Sequence, residues 1–166
     1  MGRIDKENYY LDIAQTVAGR STCLRRCYGA ILVKSDEIIS TGYNGAPRGR
    51  RNCVDLNYCT REALNIPSGE RYELCRSVHA EANAIISASR RDMAGGTIYL
   101  VGRNAATGEL LNDATSCLMC RRMIINAGLD RVVIRRTETE FEVVPVEAWI
   151  AEDDLLTPEN VVMDLK

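Results

Sequence analysis

Apolar positions in the first twenty residues recur at helical intervals. Ile13, Ala14, Val17 and Ala18 share one face, predicting a helix over Ile4 to Ala18 that stops at Gly19. The period then changes. Tyr28 to Val33 is a short apolar, partly β-branched run, Lys34-Ser35-Asp36 is a turn, and Glu37 to Tyr43 continues as a second strand, which predicts a hairpin. Gly42 to Gly49 (GYNGAPRG) is dense in the residues that adopt unusual backbone shapes and is expected to be a loop. Arg50 to Arg76 lacks strand periodicity and predicts only a short helix near Thr60 to Leu64. Next come a helix over His79 to Arg91, ended by Ala94-Gly95-Gly96, and a strand over Thr97 to Val101. Arg103 to Thr115 is polar, an inserted loop or small hairpin. Cys117 to Ala127 predicts a helix stopped by Gly128, Arg131 to Arg135 a strand, Phe141 to Val146 a last strand, and the surroundings of Trp149 a short helix. Helices alternating with strands in the later half predict crossover units, hence an α/β fold of three α/β/α layers around a central mixed sheet. Ile85, Ile86, Ile124 and Ile125 are its expected core, and Arg90-Arg91-Asp92 and Glu152-Asp153-Asp154 its solvated surface. The 166 residues suit a single domain, with a core of about 20–136 and a C-terminal extension over 137–166.

Composition narrows the function classes. Hydrophobic residues at 46% and charged residues at 27% are ordinary for a globular chain. A formal charge of −2 argues against a nucleic-acid polymer as partner and favours a small anionic ligand. No apolar run reaches transmembrane length, and Met1 to Asn8 is polar, so the expected address is cytoplasmic, with no membrane partner. In that reducing compartment seven cysteines, an odd number, are better explained as thiols or metal ligands than as disulfides.

The one histidine lies in His79-Ala80-Glu81, and Cys117-Leu118-Met119-Cys120 follows after an intervening strand. An imidazole and two thiolates are good zinc ligands, and three protein ligands leave a fourth position open for water, whose pKa zinc lowers to about 7. Glu81 is near enough to serve as the proton carrier. Both segments fall at predicted helix starts, where the helix dipole favours thiolate over thiol. His-x-Glu followed by Cys-x-x-Cys, each opening a helix, is the signature of zinc-dependent deaminases.

HAEANAII (His79 to Ile86), CLMCRRMIINAG (Cys117 to Gly128) and STGYNGAPRG (Ser40 to Gly49) together resemble the deoxycytidylate (dCMP) deaminases, over roughly Arg20 to Ile134. The resemblance implies one catalytic zinc on His79, Cys117 and Cys120, with Glu81 moving protons as dCMP becomes dUMP and ammonia, supplying dUMP for thymidylate synthesis. It implies that Asn44 contacts the sugar. The Ala80 N–H and a carbonyl just ahead of Cys117, at Ser116, are expected to meet the cytosine edge. An arginine is expected on the phosphate; Arg25, Arg26 and Arg48 are candidates for chemical reasons, as well as for ordinary solvated charge. Homo-oligomers controlled by dCTP and dTTP are a further implication, with Gly42, Tyr43, Asn44, Gly45, Pro47 and Gly49 forming the effector loop.

Two features depart from the family pattern. Ser116 stands where the signature has proline, which removes a fixed dihedral but no ligand. The Arg103 to Thr115 insertion, beside the expected pocket, is either a lid or a surface excursion. Outside the catalytic set, Cys23, Cys53, Cys59 and Cys75 suit a second, structural zinc that would fasten the long Arg50 to Arg76 connection, and the resemblance points the same way. Cys27 is expected to pack as a small apolar residue.

Overall fold

Asp5 opens the first helix: its side chain accepts the Asn8 amide and caps α1 (Lys6–Ala18). This computed structural model describes residues 2–152. Strands β1 (Arg26–Lys34) and β2 (Glu37–Tyr43) form the expected hairpin. Ser35 and Asp36, with φ of 51° and 66°, give the two-residue turn whose twist matches its strands. With β3 (Thr97–Asn104), β4 (Arg131–Arg135) and β5 (Phe141–Pro145) they build one sheet in the order β2-β1-β3-β4-β5. Only β3 and β4 run parallel, joined by the crossover helix α6 (Leu118–Ala127), so the sheet is mixed as expected. The shorter helices are α2 (Cys53–Leu56), α3 (Thr60–Ala63), α4 (Ala80–Ile86), α5 (Arg90–Met93) and α7 (Val146–Glu152), with a 3-10 turn at Tyr72–Leu74.

Alternation along β1 separates two cores. Ile31 and Val33 face Tyr10, Leu11 and Ala14 of α1, while Ala30 and Leu32 face Ala80 and Ala84 of α4, Ile124 of α6 and Trp149 of α7. The sheet is therefore the middle of three layers. Close approach to it needs glycine. A Cβ on Gly42 would lie 2.2 Å from the Ala80 carbonyl oxygen and 2.4 Å from the Ala84 nitrogen, so Gly42 is a spacer that lets α4 settle on β2.

Several expectations are corrected. The helix predicted over His79 to Arg91 is two, because Ser89 stops the run and accepts the Asp92 amide to start α5. Ile86, at the end of α4, is 73% exposed rather than core. Gly42 and Tyr43 belong to β2, so the GYNGAPRG loop begins only at Asn44. Strand β3 runs three residues further than Val101 and takes up the start of the insertion. The rest of the insertion folds back on it through an Arg103–Leu110 bridge and a Leu111 N–H bond to the Gly102 carbonyl, with the Asn104 side chain accepting the Ala106 and Thr107 amides. It is a pinned hairpin, and Ala105 and Gly108 at its tip line a separate cleft with Gln15, Gly19 and Cys27. Asp153, Asp154 and the chain beyond them lie outside the described residues.

Candidate metal centre and active site

His79 and Cys117 are the N-cap residues of α4 and α6, two neighbouring helices on the same face of the sheet. Cap positions leave helical geometry just where the first turn begins, so each side chain projects ahead of its helix. The His79 Nδ1 atom lies 3.4 Å from the Sγ atoms of both Cys117 and Cys120. An ion about 2.0–2.1 Å from an imidazole nitrogen and about 2.3 Å from a thiolate, at tetrahedral angles, holds those two atoms about 3.5 Å apart. His79 Nδ1 thus already stands at the spacing zinc requires from each of the two thiols. They are the one group of three or more His, Cys, Asp or Glu ligand atoms within 4.8 Å of one another among the described residues.

Electrostatics agree. A hydrogen bond from Cys120 pulls the Cys117 thiol down to about 4, even against burial, and His79 adds to the effect. Cys120 is pushed up, by that shared hydrogen bond and by burial. Burial alone would lower His79, but hydrogen bonds with Cys117 and Cys75 outweigh it and raise the imidazole to about 10. The imidazole and the Cys120 thiol thus hold protons that a cation would displace on binding.

Glu81, 4% exposed in the first turn of α4, has its carboxyl pushed up by burial. It lines the same cleft, about 740 Å³ including its mouth, as Ala80, Cys117, Asn44, Arg25 and Arg26. Ala80 carries the first N–H of α4, which has no partner inside the helix. The Asn44 side chain accepts from Ser21 Oγ (2.6 Å) and the Tyr28 amide (2.8 Å), and its Nδ2 donates to the Arg26 carbonyl (2.8 Å). One N–H of that amide is left for a ligand.

The three candidate arginines separate clearly. Arg25 Nη1 is buried beside the cleft with no acceptor among the described residues. Arg26 is paired with Asp113 at 3.2 Å. Arg48 stands exposed on the turn after Pro47 and is not among the residues lining the cleft. Of the effector-loop residues, Asn44 and Gly45 are buried, the latter paired with Val78, while Pro47 and Gly49 are exposed.

Ser116 is 1% exposed, and its side chain stands beside the Glu81 carboxyl, where it acts against the effect of burial. Its carbonyl accepts from Arg121 Nε at 3.1 Å, and the Arg121 guanidinium lies 4.9 Å from the Trp149 ring centre. That bond restrains the backbone where proline would have fixed it. Thr115, the residue before Ser116, is among those lining the cleft, and Ser116 is not.

The four remaining candidate cysteines come together but not as a finished ligand set. Cys23, Cys59 and Cys75 line the cleft, and the Cys53 thiol is raised by burial and then by the other three thiols. Cys27 instead sits in the separate cleft, with its Sγ 4.0 Å from the Cys23 carbonyl oxygen. Sequence reasoning missed Arg61, Ser68 and Tyr72, which form one wall of the cleft. Tyr72, an aromatic residue in a polar connection just before Cys75, was the available signal.

A mixed sheet with His-x-Glu and Cys-x-x-Cys at two adjacent helix starts defines the cytidine-deaminase-like class, and a cytidine deaminase from Burkholderia pseudomallei shares the fold (TM-score 0.55, 17% identity, 87% of this chain and 95% of that one). The chain belongs to the cytidine and deoxycytidylate deaminase zinc-binding family, whose model matches residues 4–136. The deoxycytidylate deaminase of Mycobacterium phage D29 is 37% identical over 138 residues, 80% of this chain and 96% of the relative. That of Schizosaccharomyces pombe is 35% identical over 127 residues, 76% of this chain but only 36% of the relative, so the chain spans about a third of the yeast protein. The dCMP deaminase of cyanophage S-TIM5 is similar in structure (TM-score 0.53, 25% identity, 78% of this chain and 81% of that one). Among the described residues no helix is long and apolar enough to cross a membrane.

Proposed function

We propose that this chain is a zinc-dependent hydrolase that converts dCMP and water to dUMP and ammonia in the cytoplasm. The observation that carries the reading is the convergence of His79 Nδ1 with the Cys117 and Cys120 thiols, at a cleft that His79, Cys117 and the buried Glu81 line together. The names of the phage and yeast relatives support dCMP as the substrate. Zinc, held by His79, Cys117 and Cys120, supplies a Lewis acid that makes water nucleophilic near neutral pH. The rest falls to the chain. Glu81 takes one proton from the attacking water and gives it to N3 of the ring; it then takes the remaining proton of that oxygen, now bonded to C4, and gives it to the amine, so that the C–N bond breaks, ammonia leaves and the C4 carbonyl forms. Ala80 N–H and the carbonyl of Thr115 hold the base edge, Asn44 Nδ2 the sugar, and Arg25 the phosphate.

Cys23, Cys53, Cys59 and Cys75 hold a second, structural zinc once their side chains close on it; their mutual proximity supports this. Metal analysis is then expected to give two zinc ions per chain, falling to one in Cys53→Ser. One ion in the fully loaded wild type would remove this second site. Asn44, Gly45, Pro47 and Gly49, in the loop that follows β2, form an effector site for dCTP and dTTP between copies of a homo-oligomer.

Ammonia release from dCMP, CMP, deoxycytidine and dCTP tests the reaction, with Glu81→Gln alongside and with dCTP or dTTP added as effectors. The expected result is turnover of dCMP that disappears in Glu81→Gln. Zinc-loaded protein silent on all four substrates would reject the assignment, and dCMP rates indifferent to both triphosphates would remove the effector loop.

A further inference from the structure

Arg61 is a buried guanidinium in a connection where, besides it, only Cys53 is buried. It is 7% exposed on α3. Its Nη2 donates to the Pro67 carbonyl at 2.6 Å and its Nε to the Glu70 carbonyl at 3.2 Å. Its guanidinium carbon lies 4.4 Å from the centre of the Tyr72 ring. Tyr72 in turn meets the His79 imidazole at right angles, with centroids 4.5 Å apart and planes at 89°, and the Gly69 amide donates to the Tyr72 hydroxyl at 3.2 Å.

These contacts form a chain from a buried cation to a metal ligand. Desolvating a guanidinium is costly unless its donors are used, and here the main chain of residues 67–70 uses them. That segment is thereby folded around Arg61. The same group then stacks on Tyr72, a favourable arrangement for a cation over an aromatic face. Tyr72 occupies the side of the His79 ring available to it, in the edge-to-face geometry aromatic rings prefer. A turn of the imidazole about its own side-chain bond would carry Nδ1 away from Cys117 and Cys120, and Tyr72 adds to the Cys75 hydrogen bond in opposing that turn.

We propose that Arg61 and Tyr72 are positioning residues for the metal centre: Arg61 folds residues 67–72 about its guanidinium and holds Tyr72 against His79, which fixes the imidazole facing Cys117 and Cys120. Neither residue touches the reacting atoms. The inference rests on His79, Cys117 and Cys120 being the metal ligands, and the test separates the two claims.

Cobalt(II) is titrated into the metal-free protein in a Cys53→Ser background that lacks the second site, following the thiolate-to-cobalt absorption that Cys117→Ser weakens. Zinc affinity is measured by competition with a chromophoric chelator. Both are done in that background with Tyr72 and Arg61 left wild type, and with Tyr72→Phe, Tyr72→Leu, Arg61→Lys and Arg61→Met. Groups that orient a metal ligand from behind typically change metal affinity about 10–100-fold when removed. Tyr72→Leu and Arg61→Met are therefore expected to weaken zinc binding by about 10–100-fold and to shift the cobalt d–d bands. Tyr72→Phe keeps the ring and is expected to match wild type in both. Should Arg61→Met fail to fold, Tyr72→Leu and Arg61→Lys decide the matter, with the melting temperature of the metal-free proteins as control. Wild-type zinc affinity and an unchanged cobalt spectrum in Tyr72→Leu would overturn the proposal while leaving the metal site intact. A wild type without thiolate-to-cobalt absorption would overturn the ligand assignment itself, and the positioning role with it.

Discussion

Arg25 holds one guanidinium nitrogen inside the protein with no acceptor among the described residues, a state that costs the full desolvation of a charged donor. Such an atom at the wall of a cleft is a place for an anion, and the proposed substrate brings one. Arg26, a neighbour in sequence, is already paired with Asp113. Arg25→Met is therefore expected to raise the KM for dCMP about tenfold or more, the loss of a charge-assisted hydrogen bond, and to leave deoxycytidine kinetics unchanged. Steady-state kinetics with the two substrates check this; a KM for dCMP that moves only in Arg26→Met would give the phosphate to Arg26. The candidate metal ligands and Glu81 are legible in the sequence because their chemistry is written in spacing, with His79 two residues before Glu81 and Cys117 three before Cys120. The candidate for the phosphate is not. Three arginines with equal claims in the sequence differ only in which carboxylate or carbonyl tertiary structure places beside each. Ser116 is similar: its departure from proline is visible in the sequence, but the Arg121 bond that restrains its carbonyl comes from the facing turn of α6.

The element that aims the site is α4, and Gly42 sets its height above the sheet. A methyl group there meets backbone atoms at 2.2 and 2.4 Å, which no rotamer change relieves. Gly42→Ala is expected to lift α4, costing roughly 1–3 kcal/mol of stability. Because Ala80 lies between His79 and Glu81, zinc affinity is expected to fall with it. Urea unfolding of the metal-free protein and a chelator competition measure the two effects; loss of stability with unchanged zinc binding would show that α4 shifts without moving its first turn. At this scale hydrophobic period carried most of the fold: β2 and β4 match their predicted bounds, and α1 ends at the predicted Ala18. What period does not register is a local stop. Ile85 and Ile86 continue the apolar run, yet the serines at 87 and 89 divide the helix and leave Ile86 in solvent. The connection over 50–76 was opaque for a different reason. Its order comes from Arg61 bonding to the carbonyls of Pro67 and Glu70, and main-chain contacts of that kind leave no residue pattern.

Across the whole molecule, α1 is fastened to the sheet by polar contacts as well as by its apolar face. Tyr10 donates its hydroxyl to Asp36 at 2.6 Å, and Lys6 pairs with the same carboxylate at 2.7 Å. From β3, Tyr99 donates to Glu7 at 2.6 Å, and Arg131 reaches the other Glu7 oxygen at 3.1 Å. Arg135, 1% exposed on β4, pairs with Asp12 at 2.8 Å and donates to the Asn8 carbonyl. The hydrogen bond to Asp36 pushes the Tyr10 hydroxyl from 10.0 up to about 12, and burial together with Glu7 raises Tyr99 as well. In both cases the folded protein keeps a proton that the unfolded chain releases near pH 10. The stability from these contacts is fully present below pH 10. Above it the unfolded state binds fewer protons than the native state, so stability falls with rising pH until Tyr10 itself ionises near pH 12. Urea midpoints of the metal-free protein between pH 9 and 11.5 are therefore expected to decline, and Tyr10→Phe is expected to start lower and decline less steeply. Equal slopes in the two proteins would mean that the Tyr10 hydroxyl releases its proton alike in the folded and unfolded chains. The alkaline loss of stability would then have to come from groups elsewhere, and the Tyr10–Asp36 bond would contribute little to holding α1 on the sheet.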